Sequence, residues 1–243
     1  MSCLLLSGKV DVVPSKLNKL YDRNIRLSQT RSSLFEIIKT CLFDKIVVSD
    51  ASNVEILSEK EIVDLRVNNN IIVEQIIFDN INIVDKNGGI KSINELNNIK
   101  KTLDLSNILK QEKIFYKITP RYQISNLQSI ITSSQSISHL FYDYHFWPFS
   151  KYKRIIKTNF FKTDIDFFNE INIEAAYNHL DENNDYHLEH YFYEILSTQK
   201  KEYIKIEFPF IKTISGTSGL PVTNRFYYAR NKISTKGYLA FSF

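Results

Sequence analysis

Along the chain, short apolar runs give way repeatedly to polar stretches with helical period, which predicts strands separated by helices. Residues 3–13 alternate and carry valines, the pattern of a first strand that ends at Pro14. Residues 15–26 are basic and polar. From Ser28 the period becomes helical, with Leu34, Ile37, Ile38, Cys41 and Leu42 on one face and Ser28 or Thr30 as the cap. An apolar strand over 45–48 runs into the polar turn 49–53. Residues 59–69 read as a second helix, and 71–78 and 81–85 as strands. An Asn-Gly-Gly turn at 87–89 opens a helix that turns Ile90, Ile93, Leu96 and Ile99 inward. Residues 113–122 form a strand that Pro120 breaks.

The second half is richer in aromatic residues. A dense aromatic cluster spans 139–149, and 154–161 reads as a strand. Residues 163–180 read as one helix capped by Thr163 or Asp164. After the polar turn 181–185 comes a further helix over 187–199, then a strand and a small-residue turn over 204–219. Strands and helices alternate in the first half at spacings that suit βαβ units, so the expected fold is α/β with a mostly parallel central sheet. The whole chain, 1–243, is expected to pack as one domain.

Composition narrows the function classes. Apolar residues are 43% and charged residues 24%, ordinary for a globular chain. A net charge of +4 is too small to imply nucleic-acid binding, though it is compatible with docking on an anionic membrane surface. Cys3 and Cys41 stand outside any CxxC pair or His cluster, which argues against a zinc site and reads as reduced, cytosolic thiols. The N-terminal run is too short for a signal peptide, and no stretch approaches the ~20 apolar residues needed to span a bilayer. A cytoplasmic location is therefore expected, with peripheral contact at the inner face of the cell membrane.

Five polar segments sit beside apolar runs, the usual place for a small-molecule site in an α/β protein. In 49–53, the Asp50 carboxylate suits a base N–H or ribose hydroxyl, and Ser52 and Asn53 suit a helix cap. At 87–89, adjacent glycines let backbone N–H groups approach a phosphate, or simply make a tight turn. Strand alternation places Lys117, Thr119 and Arg121 on one face, suited to a diphosphate or to solvent. Glu189 and His190 open a helix beside Asp185 and His187, where a carboxylate suits general-base work or a favourable helix dipole. Small residues at 214–219 suit a loop over a ligand. Asp164 and Asp166 form a DxD pair, but acids at a helix start are favoured anyway, so no metal site is assigned. No HExxH, GxSxG or P-loop occurs, and the first strand lacks the glycine-rich loop of a nucleotidyltransferase.

Taken in order, these motifs resemble a group of small bacterial glycosyltransferases from O-antigen and capsule gene clusters. A helix with Gln29, Thr30 and Ser33 precedes a strand ending in Asp50, Ala51 and Ser52. Asn87, Gly88 and Gly89 lead to Glu95; Lys117, Thr119, Arg121 and Tyr122 follow; then Thr158, Phe160 and Phe161. Leu188, Glu189 and His190 match an L-E-H motif, and Ser215, Gly216 and Gly219 a glycine turn. The resemblance covers roughly 25–220 and departs at Ala51, where the group has Asn, and Pro120, where it has Gly.

That resemblance implies a GT-A-like, Rossmann-related domain, with 1–125 as the nucleotide-sugar-binding half and 126–243 facing the acceptor. The implied activity transfers a sugar from a nucleotide-sugar donor to a hydroxyl of a lipid-linked or oligosaccharide acceptor, an intermediate of lipopolysaccharide O-antigen or capsule. Donor residues would be Gln29, Asp50, Ser52, Asn53, Asn87, Gly88, Gly89, Lys117, Thr119 and Arg121. Lys117 and Arg121 would do the electrostatic work of a metal, so a divalent cation is compatible but not expected. Glu189, helped by His190, would deprotonate the acceptor and invert the anomeric centre. The competing reading is a non-catalytic glycan-binding or scaffold subunit of a polysaccharide assembly complex, with the aromatics at 139–149 as its contact surface.

Overall fold

The computed structural model describes residues 2–12, 21–79, 90–144, 155–181, 186–198, 202–204, 206–214, 221–223 and 238–241. The first half alternates β1 (Cys3–Gly8), α1 (Arg23–Lys39), β2 (Lys45–Asp50), α2 (Glu59–Asn69), β3 (Ile72–Ile77), α3 (Ile90–Leu105), α4 (Asn107–Glu112) and β4 (Ile114–Ile118). Then follow β5 (Gln123–Ile124), α5 (Leu127–Ser133), β6 (His139–Tyr144), β7 (Ile155–Asp164), α6 (Ile165–Glu170), α7 (Ile173–His179) and α8 (Leu188–Ser197). Four short strands complete the described elements: β8 (Glu202–Ile204), β9 (Ile211–Ile214), β10 (Pro221–Thr223) and β11 (Tyr238–Phe241).

The main sheet has eight strands in the order β3-β2-β1-β4-β7-β6-β11-β8. β3, β2, β1 and β4 pair in parallel, and the remaining neighbours pair antiparallel. Six of the eight strands therefore run one way, with β7 and β11 against them. This is an α/β architecture, compatible with a Rossmann-like fold. A small sheet, β10-β9-β5, lies apart from it in pairing.

β1 reads Cys-Leu-Leu-Leu because it is central and covered on both faces. Leu4 and Leu6 enter one core with Leu34, Ile37 and Ile38 of α1, Leu65 of α2 and Leu127 and Ile130 of α5. Leu5 enters the other with Ile93, Leu96 and Ile99 of α3, Phe167 and Phe168 of α6 and Phe192 of α8. The sheet is thus the middle of three layers. No described helix is long and apolar enough to cross a membrane.

Several element boundaries differ from the sequence expectation, each for a local reason. β1 ends at Gly8, short of Pro14. α1 starts at Arg23 rather than near Ser28, because the Asp22 carboxylate caps it, accepting from the Ile25 N–H at 2.9 Å. The helix expected over 163–180 is two: Asp164 caps α6, and Asn172 restarts the chain as α7 by accepting from the Ala175 N–H. α4 is capped from outside the helix, the Glu74 carboxylate on β3 accepting from the Asn107 and Ile108 N–H groups. Asn87, Gly88, Gly89, Asp185, Ser215, Gly216, Gly219, the strand expected at 81–85 and the aromatics at 145–149 lie outside the described residues.

α2 carries a capping box in which Ser58 and Glu61 bond reciprocally, and the Arg31 guanidinium of α1 also grips the Glu61 carboxylate. The Arg31 hydrogen bond, helped by Ser58, outweighs partial burial and holds the Glu61 carboxyl down at about 2 against an ordinary 4.5. An acid with a lowered folded value contributes stability above its unfolded value and loses it as pH falls through the folded one. The melting temperature is therefore expected to fall between about pH 4.5 and 2 as Glu61 protonates. Glu61→Gln should flatten that part of the pH–melting curve; an unchanged curve would remove Glu61 from the α1–α2 tie.

Candidate functional site

β1 leads to α1 on one face of the sheet, whereas β4 is reached from α3 and α4 on the other. The chain thus departs from the middle of the sheet on opposite faces, and β1 and β4 flank the switch point. In such folds the carboxyl ends of those strands frame a crevice. Here it is a small, half-open cleft of about 40 Å³. Gly8, Lys9 and Val10 and the neighbouring turn Thr119–Arg121 form its wall, with Asp50 as the floor and Arg26 and Thr30 of α1 as the roof.

Asp50 is 2% exposed and organises the floor. Its Oδ2 accepts from the Val10 N–H at 2.7 Å, and its Oδ1 from Ser52 N, Ser52 Oγ and Val54 N. Three of these bonds crowd onto Oδ1 and one holds Oδ2, so Asp50 acts here as the tie between the two loops of the rim. Ser52 extends the tie by accepting from the Asp11 N–H at 2.8 Å. Asn53 turns outward in the left-handed region, with φ 57°.

Two guanidinium groups meet in the cleft. Arg26 donates from Nε to the Val10 carbonyl at 2.9 Å and from Nη2 to the Lys9 carbonyl at 2.5 Å. Burial, and then the neighbouring Arg121, push Arg26 down to about 10, against the pull of Asp50. It stays charged at neutral pH. Arg121 is also lowered by burial, and its Nη1 is buried with no hydrogen-bond partner. Its backbone sits at φ 79°, a left-handed conformation that non-glycine residues rarely adopt. A strained residue with a desolvated, unpaired donor beside a second cation has the chemistry that suits an anion.

Pro120 shapes the same wall. A Cβ on Gly8 would meet Pro120 Cγ at 2.9 Å, so the two residues are matched. The departure Pro120 is accommodated because position 8 has no side chain.

The structure brings Asp50, Thr119 and Arg121 together and puts Lys117 elsewhere. β4 ends at Ile118, and the left-handed residue breaks the alternation expected to align Lys117 with Arg121. Lys117 is 1% exposed, its ammonium donating to Glu95 Oε1 at 2.8 Å, the Thr158 carbonyl at 2.7 Å and Thr119 Oγ1 at 3.0 Å. Gln29 lies on α1 next to the roof residues, its Oε1 buried without a partner. Ser33 Oγ donates to the Tyr122 carbonyl at 2.7 Å.

Glu189 and His190 open α8 on the α3 face of the sheet and do not line the cleft. The Leu188 N–H donates to Ser92 Oγ at 3.1 Å, which pins this helix start to α3. His190 Nδ1 accepts from the His187 N–H at 3.1 Å. Burial, then His187, hold the His190 imidazole below its usual range, so it is neutral at pH 7. Lys157, on the part of β7 that overhangs the end of β4, is lowered by burial and raised by Glu189. Glu189 is therefore near enough to Lys157 for the two charges to interact, and α8 packs on the α3 face of the sheet. Asp164 and Asp166 lie at the other end of β7, where Asp164 Oδ2 is 3.3 Å from His139 Nε2. Among the described residues no three His, Cys, Asp or Glu side chains converge as a metal site.

Sequence reasoning missed Arg26 and the loop Gly8–Val10. Arg26 stands four residues before Thr30 and seven before Ser33, on the same helical face, and a helix started at Asp22 would have included it. No protein-family model matches the chain, and a search of curated proteins returns no match.

Proposed function

We propose that this chain is a glycosyltransferase of GT-A-like fold that moves a sugar from a nucleotide-activated donor to a hydroxyl of a surface-glycan intermediate in the cytoplasm. The observation that carries this reading is the switch-point cleft with the buried, unpaired Nη1 of Arg121 beside Arg26. Two guanidinium groups in a desolvated pocket match the charge of a donor diphosphate and stabilise it as it leaves. The resemblance of the motif order supplies the rest of the reading: sugar transfer, with an acceptor of O-antigen or capsule type.

Within this proposal Arg121 takes the diphosphate, while Asp50, Ser52 and Gln29 shape the donor pocket around it. Glu189 serves as the general base on the acceptor hydroxyl, approaching from the α3 face. His190, neutral and bonded to the His187 N–H, orients that helix start. Asn87, Gly88 and Gly89 complete the donor site in this proposal.

Calorimetry with UDP, GDP, CMP and their sugars, with and without EDTA, tests the reading. Binding of at least one nucleotide below millimolar concentration, undiminished by EDTA, is expected. If none binds at millimolar concentration, the donor site is lost and the non-catalytic glycan-binding reading takes its place. Binding that requires manganese would overturn only the metal-free part.

A further inference from the structure

We propose that Lys117 is a positioning residue: with Glu95 it forms an internal strut that fixes the turn Thr119–Arg121 and so aims the Arg121 guanidinium into the cleft. This rests on the reading of the cleft as an anion site.

An ammonium group has three protons. Glu95, Thr119 and Thr158 accept one each from Lys117, and the nitrogen is sealed from solvent. A cation with every proton committed inside the protein cannot also grip a ligand without first breaking a bond. Burial works to raise the Glu95 carboxyl, and the Lys117 ammonium outweighs it and holds that carboxyl below its usual range. Glu95 is therefore ionised at neutral pH, and the bonds of Lys117 to Glu95 and to the Thr158 carbonyl tie together α3, β4 and β7.

The turn that follows is held at several points. The Thr119 N–H donates to the Asn159 carbonyl at 2.9 Å, and the Tyr122 N–H to the Thr119 carbonyl at 3.1 Å. The Arg121 carbonyl accepts from Thr213 Oγ1 at 3.2 Å. Left-handed backbone at a non-glycine residue persists only where its surroundings over-determine it. Lys117 supplies the side-chain anchor on Thr119 and, through the Thr158 carbonyl, steadies the strand that receives the Thr119 N–H. Its electrostatic effect on a bound anion is then exerted through Arg121.

The test uses Glu95→Gln, which keeps the shape of the strut and removes its charge. Amide exchange is measured at Thr119 and Tyr122, with Leu5 of β1 as the internal reference. Exchange at the two turn amides should quicken about tenfold with Leu5 unchanged, the mark of a local opening. Affinity for pyrophosphate and UDP is then measured in a cycle of Glu95→Gln, Arg121→Ala and the double variant. Glu95→Gln alone should weaken binding about three- to tenfold, and in the Arg121→Ala background less than about twofold, because coupled residues are non-additive.

Equal losses in both backgrounds would show that Lys117 or Glu95 meets the ligand directly and would overturn the proposal. So would unchanged turn amides. Wild-type protein that binds pyrophosphate but no nucleotide defeats the donor reading and leaves the cycle to be read on pyrophosphate. Binding of neither defeats both, since no anion then remains for Arg121 to be aimed at.

Discussion

Glu189→Gln is expected to lower sugar transfer by at least about a hundredfold while donor binding stays near wild type, the usual scale of general-base catalysis. Glu189 sits in the first turn of α8, and α8 is pinned to α3 through the Leu188 N–H on Ser92 Oγ. The Lys157 ammonium and the Glu189 carboxylate attract each other across this face of the sheet. Glutamine keeps the shape and the hydrogen-bonding reach but cannot take a proton. As a half-exposed acid at a helix start, Glu189 contributes at most about 1 kcal/mol to folding through the helix dipole. The melting temperature should therefore move by only a few degrees. Measuring transfer to the true acceptor beside the melting curve separates the two roles; donor hydrolysis is not a substitute. Transfer above about a third of the wild-type rate would remove Glu189 from the base role.

The first half was legible where a parallel strand carries a short apolar run, as at Leu4–Leu6 and Ile46–Val48, and where a helix keeps its apolar period, as in α3. Ile46–Val48 and Ile93, Leu96 and Ile99 fall where the pattern places them, all buried. Helix starts were less legible, since a cap depends on one side chain meeting one N–H. Asp22 lies at the end of a basic stretch with no apolar signal, and Ser28 and Thr30 were equally suitable cap types. The split at Asn172 was hidden for a related reason: apolar period continues across α6 and α7, and only the backbone bend separates them.

The site was legible at its residues and not at its geometry. Asp50, Thr119 and Arg121 were chosen for their chemistry and do converge on the cleft. Strand alternation was then used to align Lys117 with Arg121. It fails there because Pro120 ends the strand and Arg121 adopts a positive φ, which period-two reasoning cannot anticipate. Which cation is spent inside the protein and which is left for a ligand is decided by Glu95 and Thr158, remote in sequence from Lys117. Arg26 escapes for a simpler reason: it stands two residues before Ser28, where the helical period was expected to begin.

Arg121→Ala and Arg121→Gly are expected to weaken donor or pyrophosphate binding alike, by about tenfold to a hundredfold, the scale of one charged hydrogen bond of about 1.5–3 kcal/mol. Their effects on folding should differ. Arg121 holds a left-handed backbone at φ 79° and a buried Nη1 without a partner, and both oppose folding. Alanine removes the unpaired donor and the repulsion with Arg26 but keeps the strained backbone. Glycine relieves the strain as well, since it adopts positive φ at no steric cost, an advantage of roughly 1 kcal/mol over alanine at such a position. For a chain of this size that corresponds to a melting temperature higher by about 2–4 °C. The expected order is therefore glycine above alanine in stability, with the two equal in lost affinity. A large drop in melting temperature for both, with binding unchanged, would instead make Arg121 a structural residue. The cation of the cleft would then be sought at Arg26, whose bonds to the Lys9 and Val10 carbonyls already hold it in the lining.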